Sequence, residues 1–382
     1  MHCYVITGEP LGGPMDQGMT SSQVESIDMV RTTLKRRERF VIATGVSSDT
    51  TNIAVRVRSG KLEGWGAAAP NTVTGETSDS IERALREARS RLIGTDPRDV
   101  PEIHRMLEES IGANPAAVAG IDLAIHDLLG KMYDAPVCRL LGQKKESIET
   151  SMTIGIADLE STVKKAKRSV ELGFGVLKLK IGLDPEEDIR RIRGVREAVG
   201  EGIRLRVDCN QGYSLKVAKH VVRELEPLSI EFIEQPVRAD DWEGLRDLTC
   251  ASSIPIMADE AVKTPDDAER LVDGGYAHML NLKLMKCGGI YPAVRIAEIC
   301  ERGEVKVMVG CMAECQASIA GGLHFALSQK IVEYADLDSH FSLLKDPTKG
   351  LTCSHGRLSP RQGPGLGVEV DLVALLFPFP IA

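Results

Sequence analysis

The sequence predicts an α/β protein in which a parallel (β/α) barrel follows a smaller N-terminal α+β domain. Hydrophobic, strand-like segments recur through the second half of the chain, and helical segments separate them. Successive strand ends are about 24 to 28 residues apart, which is the length that one strand, one crossover helix and two short loops need. These ends are unusual because they carry charges where uncharged turn residues are common. The charged residues are Lys180, Asp208, Glu234, Asp259 and Lys283.

Eight segments match the strands of such a barrel. They cover 149–155, 176–182, 205–210, 231–236, 255–260, 279–289, 305–311 and 331–338. Between the second and third segments the chain has a helical period that places Ile189, Ile192 and Val195 on one face. Eight strands that alternate with helices predict a closed barrel, and the active site of a closed barrel lies at the carboxyl ends of its strands.

The N-terminal third predicts a compact α+β unit. An antiparallel meander is predicted at 30–35, 52–58 and 62–66, and helices are predicted at 77–92, 97–110 and 115–132. Segments 40–46 and 71–76 contain glycine. We predict that both are mobile loops of the kind that close a site against water.

Composition excludes several classes of protein. The chain has 382 residues, 43% hydrophobic and 27% charged, which is an ordinary globular balance with length enough for two domains. The net charge of -8 disfavours nucleic-acid binding, because no basic field exists to neutralise phosphates. The sequence has no run of about 18 apolar residues, so no membrane span is predicted.

The cysteines and the N-terminus bear on location. Nine cysteines lack the clustered spacing of a zinc site, so we predict reduced thiols in a cytoplasmic enzyme. Residues 1–24 have neither a helical or strand period nor the pattern of a signal peptide, and they predict a disordered leader.

Three carboxylates from successive strand ends predict a metal site. Asp208, Glu234 and Asp259 would converge at the barrel mouth, where carboxylate oxygens suit a hard ion such as Mg²⁺. Without a cation the three charges would repel one another and raise their pKa values. The alternative interpretation is that these are separate surface acids, but five charged strand ends in register argue against it.

Two lysines predict proton transfer at an α-carbon. Lys180 and Lys283 lie on the second and sixth strands, which face each other across the mouth of an eight-stranded barrel. A base lysine must be neutral, and Mg²⁺, Lys178 and desolvation would all lower its pKa. The alternative for Lys178 is a salt-bridged lysine inside the barrel.

The motifs K-x-K, D-x-N, E-Q-P, A-D-E and K-x-M-K-x-G-G, which contain these residues, resemble those of the enolase superfamily, in its muconate-lactonizing subgroup. The resemblance covers about residues 25–370. It implies a modified (β/α) TIM-type barrel at 147–345 and a capping domain at 25–142 that segment 352–382 completes. It also implies that the three carboxylates hold one Mg²⁺ per subunit, that Lys180 and Lys283 are the acid/base pair, and that Lys178 binds the substrate carboxylate. Asn210 and Glu260 would orient these groups.

One motif discriminates within the subgroup. Alternation along the eighth strand puts Asp336 and Asp338 on one face, where a pair of acids would bind a cation. The motif resembles the D-x-D of dipeptide epimerases, which implies a dipeptide ammonium as ligand and epimerisation of the C-terminal residue through an enediolate. The alternatives are a loop acid or helix cap at this position, and a cycloisomerase or an o-succinylbenzoate synthase-type lyase as the enzyme. Oligomeric state, including a homo-oligomer, stays open.

The capping loops bear on side-chain preference. Relatives of the Ala-Glu type present an arginine from the first capping loop, and the corresponding place here is Gly45. Val41, Ile42 and Val46 predict a preference for hydrophobic dipeptides, because a buried glutamate carboxylate would lack a partner. Glu76 leaves two interpretations open, a partner for a cationic side chain or a cap for the helix that begins near Thr77.

Two histidines and one glycine-rich segment are predicted to have structural roles and no role in the active site. His126 and His324 lie among helical apolar residues and predict core positions. Segment 363–367 is rich in glycine, but no helix follows it. We therefore predict a segment that returns toward the capping domain.

Overall fold

The computed structural model describes residues 23–376, so all but Gln23 and Val24 of the predicted leader lie outside the described residues. The N-terminal elements are β1 (Ser26–Ile42), β2 (Gly45–Ser59), β3 (Leu62–Ala68), α1 (Ser78–Leu92), α2 (Val100–Ile111), α3 (Pro115–Met132), α4 (Val137–Leu140) and β4 (Ile148–Glu149). β1, β2 and β3 form the predicted antiparallel meander. The sheet packs very closely on α3, because a Cβ added to Gly64 would lie 2.0 Å from the carbonyl oxygen of Ala124.

Eight parallel strands follow and confirm the predicted fold class. They alternate with helices in the order β5 (Met152–Ile154), α5 (Leu159–Glu171), β6 (Val176–Lys180), α6 (Pro185–Val199), β7 (Arg204–Asp208), α7 (Leu215–Leu225), β8 (Ile230–Glu234), α8 (Trp242–Ala251), β9 (Ile256–Ala258), α9 (Pro265–Gly274), β10 (Met279–Leu282), α10 (Leu284–Cys287), α11 (Ile290–Arg302), β11 (Lys306–Gly310), α12 (Gln316–Ser328) and β12 (Val332–Asp336). A parallel bridge between Thr150 and Ala335 joins the first strand region to the last, so the barrel is nearly closed.

The C-terminal segment returns to the N-terminal unit, as segment 363–367 predicted. It contains β13 (Thr348–Lys349), β14 (Leu351–Ser354), β15 (Arg357–Pro360), β16 (Glu369–Val370) and α13 (Leu372–Leu376). The backbone N–H of Leu366 donates to Asp127 Oδ1 at 2.7 Å, and Asp127 Oδ2 accepts from the backbone of Trp65 at 2.8 Å. One buried carboxylate of α3 therefore ties the last segment to β3.

Several predicted boundaries were wrong for local reasons. The first barrel segment divides, because Ile148 and Glu149 pair antiparallel with β15 before β5 begins. The predicted helix at 97 begins instead at Val100, after Asp99 accepts a hydrogen bond from the backbone of Glu102. Segment 40–46 was predicted as a loop, but residues 40–42 and 45–47 pair as strands around a turn at Ala43 and Thr44. No helix within residues 23–376 is long and apolar enough to cross a membrane.

Candidate active site

The carboxyl ends of the barrel strands bring the five charged residues into one buried cluster. Lys180, Asp208 and Glu234 are the last residues of β6, β7 and β8, and they lie side by side in register. Asp259 and Lys283 follow β9 and β10 directly. None of the five residues is more than 8% exposed. The alternative interpretation of separate surface acids is therefore wrong.

Three carboxylates of this cluster, called the carboxylate triad below, could hold a metal ion. Asp208, Glu234 and Asp259 each offer an oxygen atom within 4.8 Å of the others. Burial is the main cause that raises the pKa of Glu234 to about 8, and the charge of Asp208 adds to the rise. The all-oxygen donor set fits Mg²⁺.

Two lysines contact different members of the triad. Lys180 Nζ donates to Asp208 Oδ2 at 2.6 Å, and Lys283 Nζ donates to Asp259 Oδ2 at 2.7 Å. β6 and β10 are four strands apart in an eight-stranded barrel. The two ammonium groups therefore approach the triad from opposite sides of the barrel mouth.

The electrostatic environment of Lys283 differs from the prediction. Burial alone would lower the pKa of Lys283, but the charges of Asp259 and Glu234 outweigh burial and raise that pKa. Burial and the charge of Lys178 act in the predicted direction, and the predicted lowering beside bound Mg²⁺ stays a prediction. The sequence argument considered Mg²⁺, Lys178 and desolvation, but it did not include the direct contact of Lys283 with Asp259.

Lys178 is a fully enclosed cation between the triad and the eighth strand. It is 1% exposed, and its Nζ lies 2.6 Å from Asp336 Oδ2, 2.8 Å from Glu234 Oε2 and 3.1 Å from Asp208 Oδ2. Burial opposes the charge of Lys178, but these three carboxylates raise its pKa well above the ordinary value. Lys178 is thus salt-bridged inside the barrel, as the alternative interpretation had it, and also borders the triad.

Asp336 and Asp338 lie close together but have different partners. Asp336 Oδ1 accepts from Ser151 Oγ at 2.6 Å and from Thr153 Oγ1 at 3.1 Å, while Oδ2 accepts from Lys178. Asp338 Oδ2 accepts from the backbone N–H of Thr153 at 2.5 Å. Burial, and next the charge of Asp336, raise the pKa of Asp338 to about 6. Asp336 is therefore paired with a lysine, whereas Asp338 receives its bonds from a neutral residue.

Asn210 and Glu260 border the triad, where they were predicted to orient its members. The backbone N–H of Asn210 donates to Asp208 Oδ1 at 2.9 Å, and its side-chain amide donates to Glu260 Oε1 at 3.2 Å. Asn210 has a positive φ of 40°, which is uncommon outside glycine. Burial, and next the charge of Asp259, raise the pKa of Glu260 to about 7.

Sequence reasoning missed three further polar residues at the barrel mouth. Lys286 Nζ donates to Asp259 Oδ1 at 2.6 Å, and Asn281 Nδ2 donates to Glu234 Oε1 at 2.8 Å. Glu314 is 4% exposed, and burial raises its pKa to about 7. The first two had a usable signal. Lys286 belongs to the K-x-M-K motif, and Asn281 precedes Lys283 by two positions, so strand alternation places both on one face.

The tip of the β1–β2 hairpin reaches the barrel mouth. The backbone N–H of Ile156 donates to the carbonyl of Val41 at 2.8 Å, and a Cβ added to Gly182 would lie 2.8 Å from Ala43 Cβ. A Cβ added to Gly45 would meet nothing within 4 Å. The hairpin tip thus packs on two barrel loops and presents an uncharged surface at Gly45.

Glu76 has a partner that neither sequence interpretation named. Its carboxylate accepts from the backbone N–H groups of Ala116 at 3.0 Å and Ala117 at 3.4 Å, at the beginning of α3. Thr77 caps α1 by itself through a reciprocal pair of bonds with Ser80. The prediction that Glu76 caps the first helix is therefore wrong, because it caps the third.

His126 and His324 are core residues, as predicted. His126 Nδ1 lies 2.9 Å from the carbonyl oxygen of Asp122, and His324 Nδ1 accepts from the backbone of Cys138 at 3.0 Å. Both residues are at most 2% exposed. Both rings are therefore enclosed in the core.

Comparison with known families matches almost the whole described chain. Residues 26–142 match the N-terminal domain of the mandelate racemase / muconate lactonizing enzyme family, and residues 161–374 match the family described as enolase C-terminal domain-like. A hydrophobic dipeptide epimerase from Enterococcus faecalis is 36% identical over 91% of this chain and 99% of the relative. An L-Lys-D/L-Arg epimerase from Methylococcus capsulatus is 40% identical over 88% of this chain and 95% of the relative.

Solved structures agree with these relationships. The E. faecalis dipeptide epimerase in complex with Mg and the dipeptide L-Leu-L-Tyr superposes with a TM-score of 0.88, at 36% identity, over 91% of this chain and 99% of that one. The N-succinyl Arg/Lys racemase from Bacillus cereus superposes with a TM-score of 0.90, at 33% identity, over 92% of this chain and 97% of that one.

Proposed function

The chain belongs to the enolase superfamily, and we propose that it is a Mg²⁺-dependent dipeptide epimerase that inverts the α-carbon of the C-terminal residue of L,L-dipeptides. One observation carries the proposal. Lys180 and Lys283 approach one carboxylate triad from opposite sides of the barrel mouth. A group on each face of an α-carbon is what inversion by proton transfer needs, whereas one base suffices for an elimination.

The lysines perform the proton transfer. One lysine, as the neutral amine, takes the α-proton: the C–H bond breaks, an N–H bond forms, and the electron pair is delocalised into the adjacent carboxylate as an enediolate. The opposite lysine, as the ammonium, donates a proton to the other face of the same carbon. When it is bound at the triad, Mg²⁺ stabilises the negative charge that develops on the substrate carboxylate.

The remaining residues hold the substrate. Lys178 lies beside Asp208 and Glu234, where its charge favours a substrate carboxylate. Asp338 receives the dipeptide ammonium, and Asp336 supports this end of the site through Lys178. Asn210 and Glu260 orient Asp208 and one another.

The preferred side chain is hydrophobic. Val41, Ile42 and Val46 come from the hairpin tip that packs on the barrel mouth, and Gly45 presents no cation there. Glu76 caps α3 and is engaged by backbone N–H groups, which removes it as a partner for a cationic side chain. The relative from E. faecalis is described as a hydrophobic dipeptide epimerase, which supports the same preference.

We also propose the domain division that the sequence predicted. The capping domain would comprise residues 25–142 and the C-terminal segment from residue 352 onward, and residues 147–345 would form the catalytic barrel. The bonds of Asp127 to Trp65 and Leu366 support this division within the described residues. The cytoplasmic location and a homo-oligomeric state stay predictions.

Deuterium incorporation tests the proposed function directly. The protein with Mg²⁺ is incubated with a mixed L,L-dipeptide library in deuterium oxide, and mass shifts are measured for each dipeptide. We expect a shift of one mass unit in dipeptides with hydrophobic C-terminal residues, because the returned proton comes from solvent-exchanged lysine. A library in which no dipeptide gains deuterium would contradict the proposal.

A further inference from the structure

A buried cluster behind Lys180, outside the barrel mouth, has no role in the chemistry described so far. It consists of Asp188 and Arg191 of α6 and Tyr213 of the loop after β7, and none of the three is more than 6% exposed. We infer that this cluster, called the Lys180 support cluster below, positions the backbone of Lys180 and so controls proton exchange at one face of the substrate. The inference rests on the proposed function.

The support cluster bonds directly to the backbone at Lys180 and to the loop that follows it. Arg191 Nη1 donates to the carbonyl oxygen of Lys180 at 3.2 Å. Asp188 Oδ2 accepts from the backbone N–H groups of Gly182 at 2.9 Å and Leu183 at 3.2 Å. Two side chains of one helix therefore fix the peptide of Lys180 and the loop that follows it.

The members of the cluster also hold one another. Tyr213 Oη donates to Asp188 Oδ2 at 2.5 Å, and Arg191 Nη2 donates to Asp188 Oδ1. Buried charges persist when they are paired and fully hydrogen-bonded, and these bonds meet that condition. These bonds therefore hold the Asp188 carboxylate in place and prevent it from turning toward solvent.

Helix capping does not explain Asp188. Asp184 already caps α6, since its side chain accepts from the backbone of Glu186 and Glu187. Asp188 lies one turn further along the helix and points back to the loop. The loop needs such support because Gly182 has a φ of +115° and packs against the Cys209 carbonyl, 2.4 Å from where a Cβ would lie.

The opposite lysine is supported by different residues. The turn after Lys283 is held by Lys286, which donates to Asp259 and to the carbonyl of Asn281, and by Asp122 of α3, which accepts from the backbone of Ile290. Within residues 23–376, no hydrogen bond joins the Lys180 support cluster to these residues. Loosening the cluster should therefore disturb Lys180 and leave Lys283 in place.

The experiment compares exchange with inversion for each epimer. Wild type, Arg191→Lys, Tyr213→Phe and Lys180→Ala are incubated in deuterium oxide with Mg²⁺ and with a hydrophobic L,L-dipeptide or its L,D epimer. NMR measures both α-deuteration without inversion and epimerisation. Arg196→Lys is the matched control, because Arg196 is a buried arginine of the same helix whose guanidinium donates to Leu228, Gly200 and Ile203 carbonyls at the other end.

The expected result is a selective loss. In Arg191→Lys and Tyr213→Phe, kcat for epimerisation falls roughly 10- to 100-fold, the size of effect that a displacement of about 1 Å at a reacting group produces, with KM little changed. Lys180→Ala should still deuterate one of the two epimers, the one whose proton Lys283 removes. For that epimer, the exchange rates of Arg191→Lys and Tyr213→Phe should stay within about twofold of the wild-type rate, because Lys283 acts alone on that face. Arg196→Lys keeps the wild-type ratio of exchange to inversion.

Several outcomes would overturn the inference. Equal loss of exchange for both epimers would show a general structural role, and unchanged epimerisation in Tyr213→Phe would show no role. Should Arg191→Lys fail to fold, as judged by circular dichroism, Tyr213→Phe decides the question, since it removes one hydroxyl and keeps the ring. A wild-type protein that deuterates no dipeptide would instead refute the proposed function, and the positioning role with it.

Discussion

Replacing Asp338 by asparagine should weaken dipeptides at their amino terminus and leave the chemistry intact. Asp338 is 8% exposed and accepts a hydrogen bond from the backbone N–H of Thr153, which an asparagine oxygen can still accept. The substitution keeps the shape of the side chain and removes its charge. The substrate ammonium would then lose a buried carboxylate partner while the lysines and the triad remain unchanged.

The size of the effect follows from the burial. A hydrogen bond to a charged group contributes about 1.5–3 kcal/mol, and each 1.36 kcal/mol is tenfold in rate, so kcat/KM should fall roughly 10- to 150-fold. We expect a value near the upper end of this range, because Asp338 is nearly enclosed and solvent screening is weak. The loss should appear mainly in KM, since the ammonium is bound equally in the ground state and the transition state.

The assay uses free and N-acetylated forms of one hydrophobic L,L-dipeptide. In wild type, acetylation of the dipeptide should lower kcat/KM by about as much as the Asp338→Asn substitution does. In Asp338→Asn, acetylation should lower kcat/KM little further. The comparison also separates a dipeptide epimerase from a racemase of N-acylated amino acids such as the B. cereus relative, whose N-succinyl substrate has an amide instead of an ammonium group. Equal turnover of the free and acetylated dipeptides by wild type would refute the role of Asp338.

The dependence of KM on pH at acid pH gives a second test of the role of Asp338. The pKa of Asp338 is raised to about 6, so the carboxylate that attracts the ammonium is present above that pH and is lost as pH falls through it. KM for the free dipeptide should therefore rise below about pH 6 in wild type. Asp338→Asn should lack this rise, and a KM that follows the same profile in both proteins would contradict the assignment.

Asp336→Asn is the matched contrast, because it removes a charge that Lys178 already uses. Breaking a buried ion pair typically costs roughly 3–5 kcal/mol, and the value here should be at or below the lower end, because Lys178 keeps Glu234 and Asp208. We expect a lower free energy of unfolding and a lower kcat, with a smaller change in KM than in Asp338→Asn. Urea unfolding and steady-state kinetics on both variants measure the difference.

The remaining predictions concern the lysines, the metal, the side-chain pocket and the capping glutamate. Lys180→Ala and Lys283→Ala should each abolish epimerisation, with solvent deuterium entering only one epimer, a different one in each variant; an active Lys283→Ala enzyme would support the one-base lyase instead. Exhaustive chelation should abolish turnover and Mg²⁺ should restore it, and full activity after chelation would contradict a metal at the triad. Hydrophobic L,L-dipeptides should exceed Ala-Glu in kcat/KM, since burial of a side chain of Leu size contributes about 1.5–3 kcal/mol, and a preference for Ala-Glu would contradict the pocket. Glu76→Ala should lower the free energy of unfolding by about 1–2 kcal/mol, because the cap of α3 is lost. The ranking of dipeptides with C-terminal Leu and Lys should not change. A gain or loss of turnover for the Lys dipeptide would instead indicate that Glu76 contacts the substrate.

The strand ends could be predicted from the sequence because the barrel imposes a strong rule. In a parallel barrel every carboxyl end reaches the same rim, so Asp208, Glu234 and Asp259 had to converge once their strands were recognised. The same rule placed Lys180 and Lys283 on opposite sides. Strand period and chain spacing carry this information without any knowledge of side-chain contacts.

The contacts that support Lys180 could not be predicted, because the sequence pattern around their residues is equally typical of a solvent-exposed helix. Asp188 and Arg191 occupy a charged helix in which a solvated surface is the usual interpretation of such a pattern. Their burial depends on how the loop after β6 packs against α6, and loop conformation is not a periodic property. Glu76 illustrates the same limit, because the helix nearest in sequence is not the one that its carboxylate caps.

The ion pairs of the barrel mouth also determine how the metal site must be tested. Each triad carboxylate anchors a different polar partner: Asp208 holds Lys180, Asp259 holds Lys283 and Lys286, and Glu234 accepts from Asn281. A substitution in the triad therefore removes a candidate metal ligand and releases a neighbouring amine or amide at the same time. Loss of activity in such a variant would not distinguish the two effects, whereas chelation leaves every one of these side chains in place. The response to added Mg²⁺ after chelation consequently tests the metal itself.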